Sequence, residues 1–130
     1  MPSFPSTPWA EEFGRRLNAS PAYARAAQAW EGDILLLVSP ADGPGVGVHL
    51  DLHHGSCRAA RYVADASTVK AEFVYRGPAA AWQRLLRREI DPIKSILDGT
   101  FKLQGNMLKA MRFTAAAKEM LETAATIPLD

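Results

Sequence analysis

The apolar residues of this chain change their spacing twice, and those two changes limit what it can fold into. A helix repeats its faces about every 3.6 residues and a strand every two, so a pattern suited to one cannot bury its face as the other. Trp9, Phe13 and Leu17 recur every four residues, and Tyr23, Ala26, Ala27 and Trp30 follow at i, i+3, i+4 and i+7. Helical spacing stops at Glu31-Gly32, strand-type runs extend from Ile34 to Tyr75, and the helical period returns from Gly77. The resulting order is αα-ββββ-αα-β-α, an α+β domain whose last strand arrives late. With 130 residues, 48% of them hydrophobic, the chain makes one domain, 1–130. Within it a helical pair occupies 1–31, and the sheet and C-terminal helices occupy 32–130.

Local chemistry marks where these elements begin and end. Thr7-Pro8, Ser20-Pro21, Gly77-Pro78 and Asp91-Pro92 each put a capping-compatible residue before a proline, which predicts four helix starts. Ile34 to Val38 is a continuous aliphatic run, as in a strand covered on both faces. Pro40 to Gly45 reads as a turn, and Val46 to His53 alternates strictly, as a half-exposed strand does. His54-Gly55 predicts a tight hairpin into Cys57 to Val63, and a fourth strand is expected over Val69 to Tyr75. Trp82, Leu85 and Leu86 share one helix face, and Ile93, Ile96 and Leu97 form a short helix ended by Gly99. Thr100 to Gly105 is a last strand, with Asn106 capping the helix beyond it. There Met107, Leu108 and Met111 make one stripe, while Phe113, Ala117, Met120, Leu121 and Ala124 make another out of phase. The slip predicts a break near Phe113-Thr114.

Catalytic and metal chemistry find little to work with. Fifteen basic residues against fourteen acidic ones produce no field that would draw the domain onto nucleic acid. Cys57 is the single cysteine, which excludes a disulfide framework and multi-cysteine zinc motifs. Gly43, Gly45 and Gly47 precede a strand rather than a helix, so they form a turn and not a phosphate loop. His49, Asp51 and His53 share a strand face, but residues four apart on a strand lie ~13 Å apart, too far for one ion. Arg58 is expected opposite Asp51 as an ion pair. No catalytic residue, metal ligand or cofactor is assigned. The longest aliphatic run falls far short of the ~20 residues that span a bilayer, and no secretory leader is apparent, so a cytoplasmic protein is expected.

Two features of the last fifty residues remain. Trp82, Leu85, Leu86, Ile93, Ile96, Leu97, Phe101, Leu103, Met107, Leu108, Met111, Phe113 and Met120 concentrate flexible and aromatic apolar surface there, the kind that adapts to apolar ligands. Across Trp82 to Arg112, Arg84, Arg87, Arg88, Lys94, Lys102, Lys109 and Arg112 outweigh Glu89, Asp91 and Asp98. Such a bias suits an anionic headgroup, a carboxylate or transient contact with an anionic membrane.

Glu89 to Phe113, EIDPIKSILDGTFKLQGNMLKAMRF, resembles the C-terminal signature of the sterol carrier protein 2 family of lipid-binding domains. The matching features are Asp91-Pro92, the Gly99 to Gly105 strand, Asn106, and the Met/Leu-rich segment Met107 to Phe113. The resemblance implies a mixed, mainly antiparallel five-stranded sheet covered by helices, with an apolar tunnel between sheet and C-terminal helices. It implies non-catalytic binding of a long-chain fatty acid, fatty acyl-CoA or sterol-like lipid. The lipid-binding residues expected on this basis are Phe73, Trp82, Leu85, Ile93, Leu97, Phe101, Leu103, Met107, Met111 and Met120. The alternative is an accessory module of a lipid or quinone biosynthesis complex, which would offer the same groove to a partner protein. The chain closes on Pro128-Leu129-Asp130 rather than the small-basic-Leu tripeptide that sends some relatives to peroxisomes, which also favours the cytoplasm.

Overall fold

The computed structural model describes residues 3–40 and 43–128. Two helices come first, α1 (Thr7–Asn18) and α2 (Pro21–Ala26), followed by strands β1 (Glu31–Ser39), β2 (Val46–His53) and β3 (Ser56–Val63). A 3₁₀ turn at Ala66–Thr68 leads to β4 (Phe73–Pro78), then α3 (Ala79–Leu86), α4 (Pro92–Leu97) and β5 (Lys102–Gln104). The chain ends with α5 (Met107–Arg112) and α6 (Thr114–Ala125), divided where the phase of the apolar stripe slips. The five strands form one sheet in the order β3-β2-β1-β4-β5. Every neighbouring pair is antiparallel except β1 and β4, which run parallel. This is the mixed, mainly antiparallel α+β architecture expected.

The cap chemistry places most helix starts. Ser20 and Asp91 accept hydrogen bonds from the first-turn N–H groups of α2 and α4, with Pro21 and Pro92 as first helical residues. The cap of α1 is Ser6 rather than Thr7, so Pro8 is the second helical residue, where its missing N–H again costs nothing. At Gly77-Pro78 β4 ends and α3 starts directly after it, but Pro78 is the N-cap residue rather than the first helical one and offers α3 no side-chain cap. A Cβ on Gly77 would sit 2.5 Å from the Phe101 ring, so the glycine is there for close packing and not for a cap. The hairpin at His54-Gly55 has φ of +50° and +85°, the type I′ geometry that matches strand twist.

Two strands differ from expectation. Residues Val69 to Ala71 are not part of β4, because Val69 and Ala71 pack with Leu35, Val63 and Ala66 on the outer sheet face. The Glu72 N–H is taken by the Asp33 carboxylate at 2.8 Å, and pairing with β1 begins at Phe73 opposite Ile34. The apolar alternation through 69–75 therefore reports burial in two separate clusters. A bulge at Asp51/Leu52 places Ala59, not Arg58, opposite Asp51, yet the guanidinium still reaches the carboxylate at 3.0 Å. Of the Pro40–Gly45 turn, residues 41 and 42 lie outside the described residues.

Helix α1 lies on the sheet and buries Trp9, Phe13 and Leu17 against the inner-face side chains Leu36, Val38, Val48, Leu50 and Leu52. Leu35 and Leu36 are both buried although they point to opposite faces, as the unbroken run Ile34–Val38 implied. Helix α3 ends in a Schellman motif, with Arg88 at φ +61° and the Glu89 N–H bonded to the Arg84 carbonyl at 2.9 Å.

Candidate lipid-binding cavity

The inner sheet face is only partly covered by α1 and α3. Its other end carries Ile34, Leu52, Phe73, Tyr75 and Leu103, and the C-terminal helices arch over it. Between them lies a cavity of about 370 Å³, within the ~300–1,000 Å³ of small-molecule sites. Its roof is made by Ile93, Ile96 and Leu97 of α4, Met107, Ala110 and Met111 of α5, and Ala116, Ala117, Met120 and Leu121 of α6. The space exists because small residues face it. Ala110, Ala116 and Ala117 present only methyl groups to the gap and leave it unfilled.

The break between α5 and α6 shapes the roof. Phe113 leaves the helix at φ −114° and ψ 28°, and its ring meets Trp30 edge-on at 5.0 Å. Helix α5 has no buried residue, and Lys109 ties it to the sheet. The Lys109 Nζ donates to the Glu31 carbonyl, reaches the Glu72 carboxylate at 2.7 Å, and stands 4.7 Å above the Trp30 ring. Around the mouth Leu97, Met111 and Met107 are 82%, 72% and 44% exposed, with Leu108 at 74% beside them. Lys94 of α4 and Arg112 of α5, next in sequence to the lining residues Ile93 and Met111, are exposed, whereas Lys102 alternates with Leu103 and points to the other face of the sheet.

Polar groups on the cavity wall are few, and three of them are engaged with backbone. The Tyr75 hydroxyl donates to the Pro92 carbonyl at 3.1 Å, the Trp30 N–H to Gly32 at 3.0 Å, and the Thr114 hydroxyl to Met111 at 3.0 Å. Burial pushes both lining phenols, Tyr23 and Tyr75, well above the usual tyrosine range, so they stay neutral. Cys57 lies outside this space. Burial pushes its thiol up to about 11, against the pull of a backbone contact to Ala59, so it carries no nucleophilic thiolate.

Among the residues expected to bind lipid, Phe73, Ile93, Leu97, Leu103, Met107, Met111 and Met120 line the cavity. Trp82, Leu85 and Phe101 do not. They form an aromatic core beneath α3, where Phe101 stacks on Tyr75 at 4.8 Å and Trp82 meets Phe101 at 5.0 Å. The Trp82 N–H is bonded to the Leu37 carbonyl at 2.9 Å, and Leu85 is 4% exposed. Their helix face is indistinguishable from that of Ile93 by spacing, and only the position of α3 against β1 and β4 separates them. Tyr23, Trp30, Ile34, Leu52, Tyr75, Thr114, Leu121 and the facing alanines were missed, and Ile96 and Phe113, already noted in the apolar C-terminal stretch, line the cavity as well. Strand parity could have supplied Ile34, Leu52 and Tyr75, since each shares its inner face with a recognised core residue.

The polar face of β2 is divided among separate partners. The His49 Nε2–H donates to Asp33 at 2.7 Å while its Nδ1 accepts from Arg61 at 3.3 Å, and Asp51 pairs with Arg58. Burial raises Asp33, but the Glu72 N–H and the His49 ring outweigh it and hold the carboxyl below its ordinary value.

A helix-roofed apolar cavity on one face of a mixed sheet is the architecture of a lipid-binding domain. Residues 11–118 match the SCP-2 sterol transfer family, and the chain belongs to that family. Its fold is similar to that of a sterol carrier protein 2 crystal structure, with 34% identity over 95% of this chain and 98% of that one, at a TM-score of 0.88. It is also similar to a conserved hypothetical protein from Thermus thermophilus, described as possibly a sterol carrier protein. That protein is 35% identical over 96% of this chain and 90% of its own, at a TM-score of 0.84. The fold extends to the ubiquinone synthesis protein UbiJ-SCP2 at 15% identity and a TM-score of 0.56, covering 92% and 89% of the two chains. No curated protein matches the chain significantly.

Proposed function

We propose that this protein binds and carries, without catalysis, one long-chain lipid with an anionic head, a fatty acid or its acyl-CoA ester. The observation that supports this reading most is the cavity itself, carbon-lined, with the polar groups of Trp30, Tyr75 and Thr114 already bonded and with Lys94 and Arg112 exposed on the helices that roof it. An apolar tail entering it gains on the order of 0.8 kcal/mol per buried CH₂. A charged head meets no charged side chain among the lining residues and stays outside, beside the exposed side chains Leu97 and Met111. Sterol-like molecules suit the apolar walls but present no charge to Lys94 and Arg112.

Titration with a fluorescent fatty acid should saturate at one site per chain and be reversed by palmitate. Ala117→Trp, which puts an indole into the cavity from α6, should lower affinity at least tenfold while changing stability by no more than about 1 kcal/mol. A titration that stays flat across chain lengths sinks this reading. The competing reading, an accessory module with a protein in the same groove, is separated by native mass spectrometry of the purified protein. Retained lipid supports the carrier, and a stoichiometric protein partner without lipid supports the module.

A further inference from the structure

A second cluster lies outside the cavity, at the open end of the β1–β2 pair, where β2 turns into β3. Glu31 and His53 are direct partners in the antiparallel ladder, and His54 follows in the type I′ turn. One ligand atom from each of Glu31, His53 and His54 lies within 4.8 Å of the other two. We infer that these three side chains form a binding site for one divalent transition-metal ion of the Zn²⁺ type.

The geometry carries this in three ways. Tetrahedral bonds of about 2.0–2.2 Å set ligand atoms about 3.3 Å apart, so small side-chain rotations suffice to reach bonding distance. The backbone is already fixed, because ladder pairing holds Glu31 against His53 and the His54 N–H is bonded to the Trp30 carbonyl at 2.7 Å. The third is the His54 ring. Its Nδ1 faces the Gln28 carbonyl at 2.9 Å, and a carbonyl only accepts, so Nδ1 carries the proton. A carboxylate likewise only accepts, so Nε2 donates a second proton to Glu31, 2.5 Å away, and a bound ion would take the place of that proton between the same two atoms. A ligating histidine typically donates its other N–H to a backbone carbonyl, which fixes tautomer and ring orientation. Two imidazoles and a carboxylate suit borderline ions such as Zn²⁺, Ni²⁺ or Cu²⁺ rather than Ca²⁺ or Mg²⁺. The Glu31 and His54 side chains are 63% and 49% exposed, which gives the ion a way in and leaves room for water to complete its shell. The sequence hides the set, because Glu31 lies far from the histidines along the chain and only the ladder unites them.

ZnCl₂ titrated calorimetrically into the intact protein should bind at one ion per chain with micromolar affinity. His53→Gln and His54→Asn should each weaken it at least tenfold, and Glu31→Gln severalfold; asparagine tolerates the positive φ of the turn. With Cu²⁺ as probe, electron paramagnetic resonance of the unaltered protein should show two coordinated nitrogens. This readout does not depend on any variant folding. No binding below millimolar Zn²⁺, an affinity unmoved by all three substitutions, or a copper spectrum without nitrogen coupling overturns the site. Fatty-acid binding is measured separately, so its presence or loss leaves this outcome unaffected.

Discussion

Asp91 caps α4 with both its side chain and its backbone. Its carboxylate accepts from the N–H groups of Ile93 and Lys94 at 2.8 and 3.0 Å, while its carbonyl receives the Ser95 hydroxyl at 2.6 Å. The N–H groups of Lys94 and Ile93 hold the carboxyl below its ordinary value. Such a group adds stability above the unfolded value near pH 3.9 and loses it as pH falls through the lower folded value. Asp91→Ala should therefore cost about 1 kcal/mol at neutral pH, as lost N-caps do. Asp91→Asn should keep most of the cap but remove its share of the decline below about pH 4, and urea melts of both variants from pH 2 to 7 check this. The residue, its role and its proline partner are legible from Asp91-Pro92 alone, because capping is decided within one turn of chain.

At the scale of elements, α5 is the part of the cavity wall with the weakest hold on the rest. It buries no residue of its own, and Lys109 anchors it to the sheet through Glu72 and the Glu31 carbonyl. The Lys109 and Glu72 side chains are partly exposed, so the pair is worth at most about 1 kcal/mol to global stability. Lys109→Met keeps the apolar stem near Trp30 and removes the charge. Hydrogen exchange across 107–112 should quicken, and bound fatty acid should leave severalfold faster, with thermal stability little changed. Unchanged exchange in α5 would show that the helix is held through the neighbouring Phe113–Trp30 contact rather than by Lys109. The division of α5 from α6 was readable in the slip between the Met107–Met111 stripe and the Phe113–Ala124 stripe. The Lys109 contacts were not, since Glu31 and Glu72 lie far away in sequence and reach it only after the sheet has formed.

For the molecule as a whole, the cavity couples ligand to stability. A ligand that binds only the folded protein adds RT ln(1 + [L]/Kd), about 2.7 kcal/mol at one hundred times Kd. For a domain of this size that corresponds to a rise in Tm of roughly 10 °C. Differential scanning calorimetry over a palmitate series should show Tm climbing with the logarithm of concentration. A Tm independent of palmitate would mean that the cavity takes up no fatty acid.

Chain chemistry alone determined the order of elements, because the periods of two and 3.6 are imposed by backbone geometry that neighbours cannot change. It likewise determined the hairpin at His54-Gly55, the left-handed stop at Gly99 and the Asn106 cap, all set by a few adjacent residues. Tertiary structure decided the parallel seat of β4 beside β1, which displaced Val69 and Ala71 from the strand. It also decided which apolar side chains wall the cavity and which pack beneath α3. Met120 and Leu85 are alike in character and equally buried, yet one borders the cavity and the other lies in solid core. A cavity is a gap between elements, fixed by their distances and angles, and no spacing along a single element encodes it.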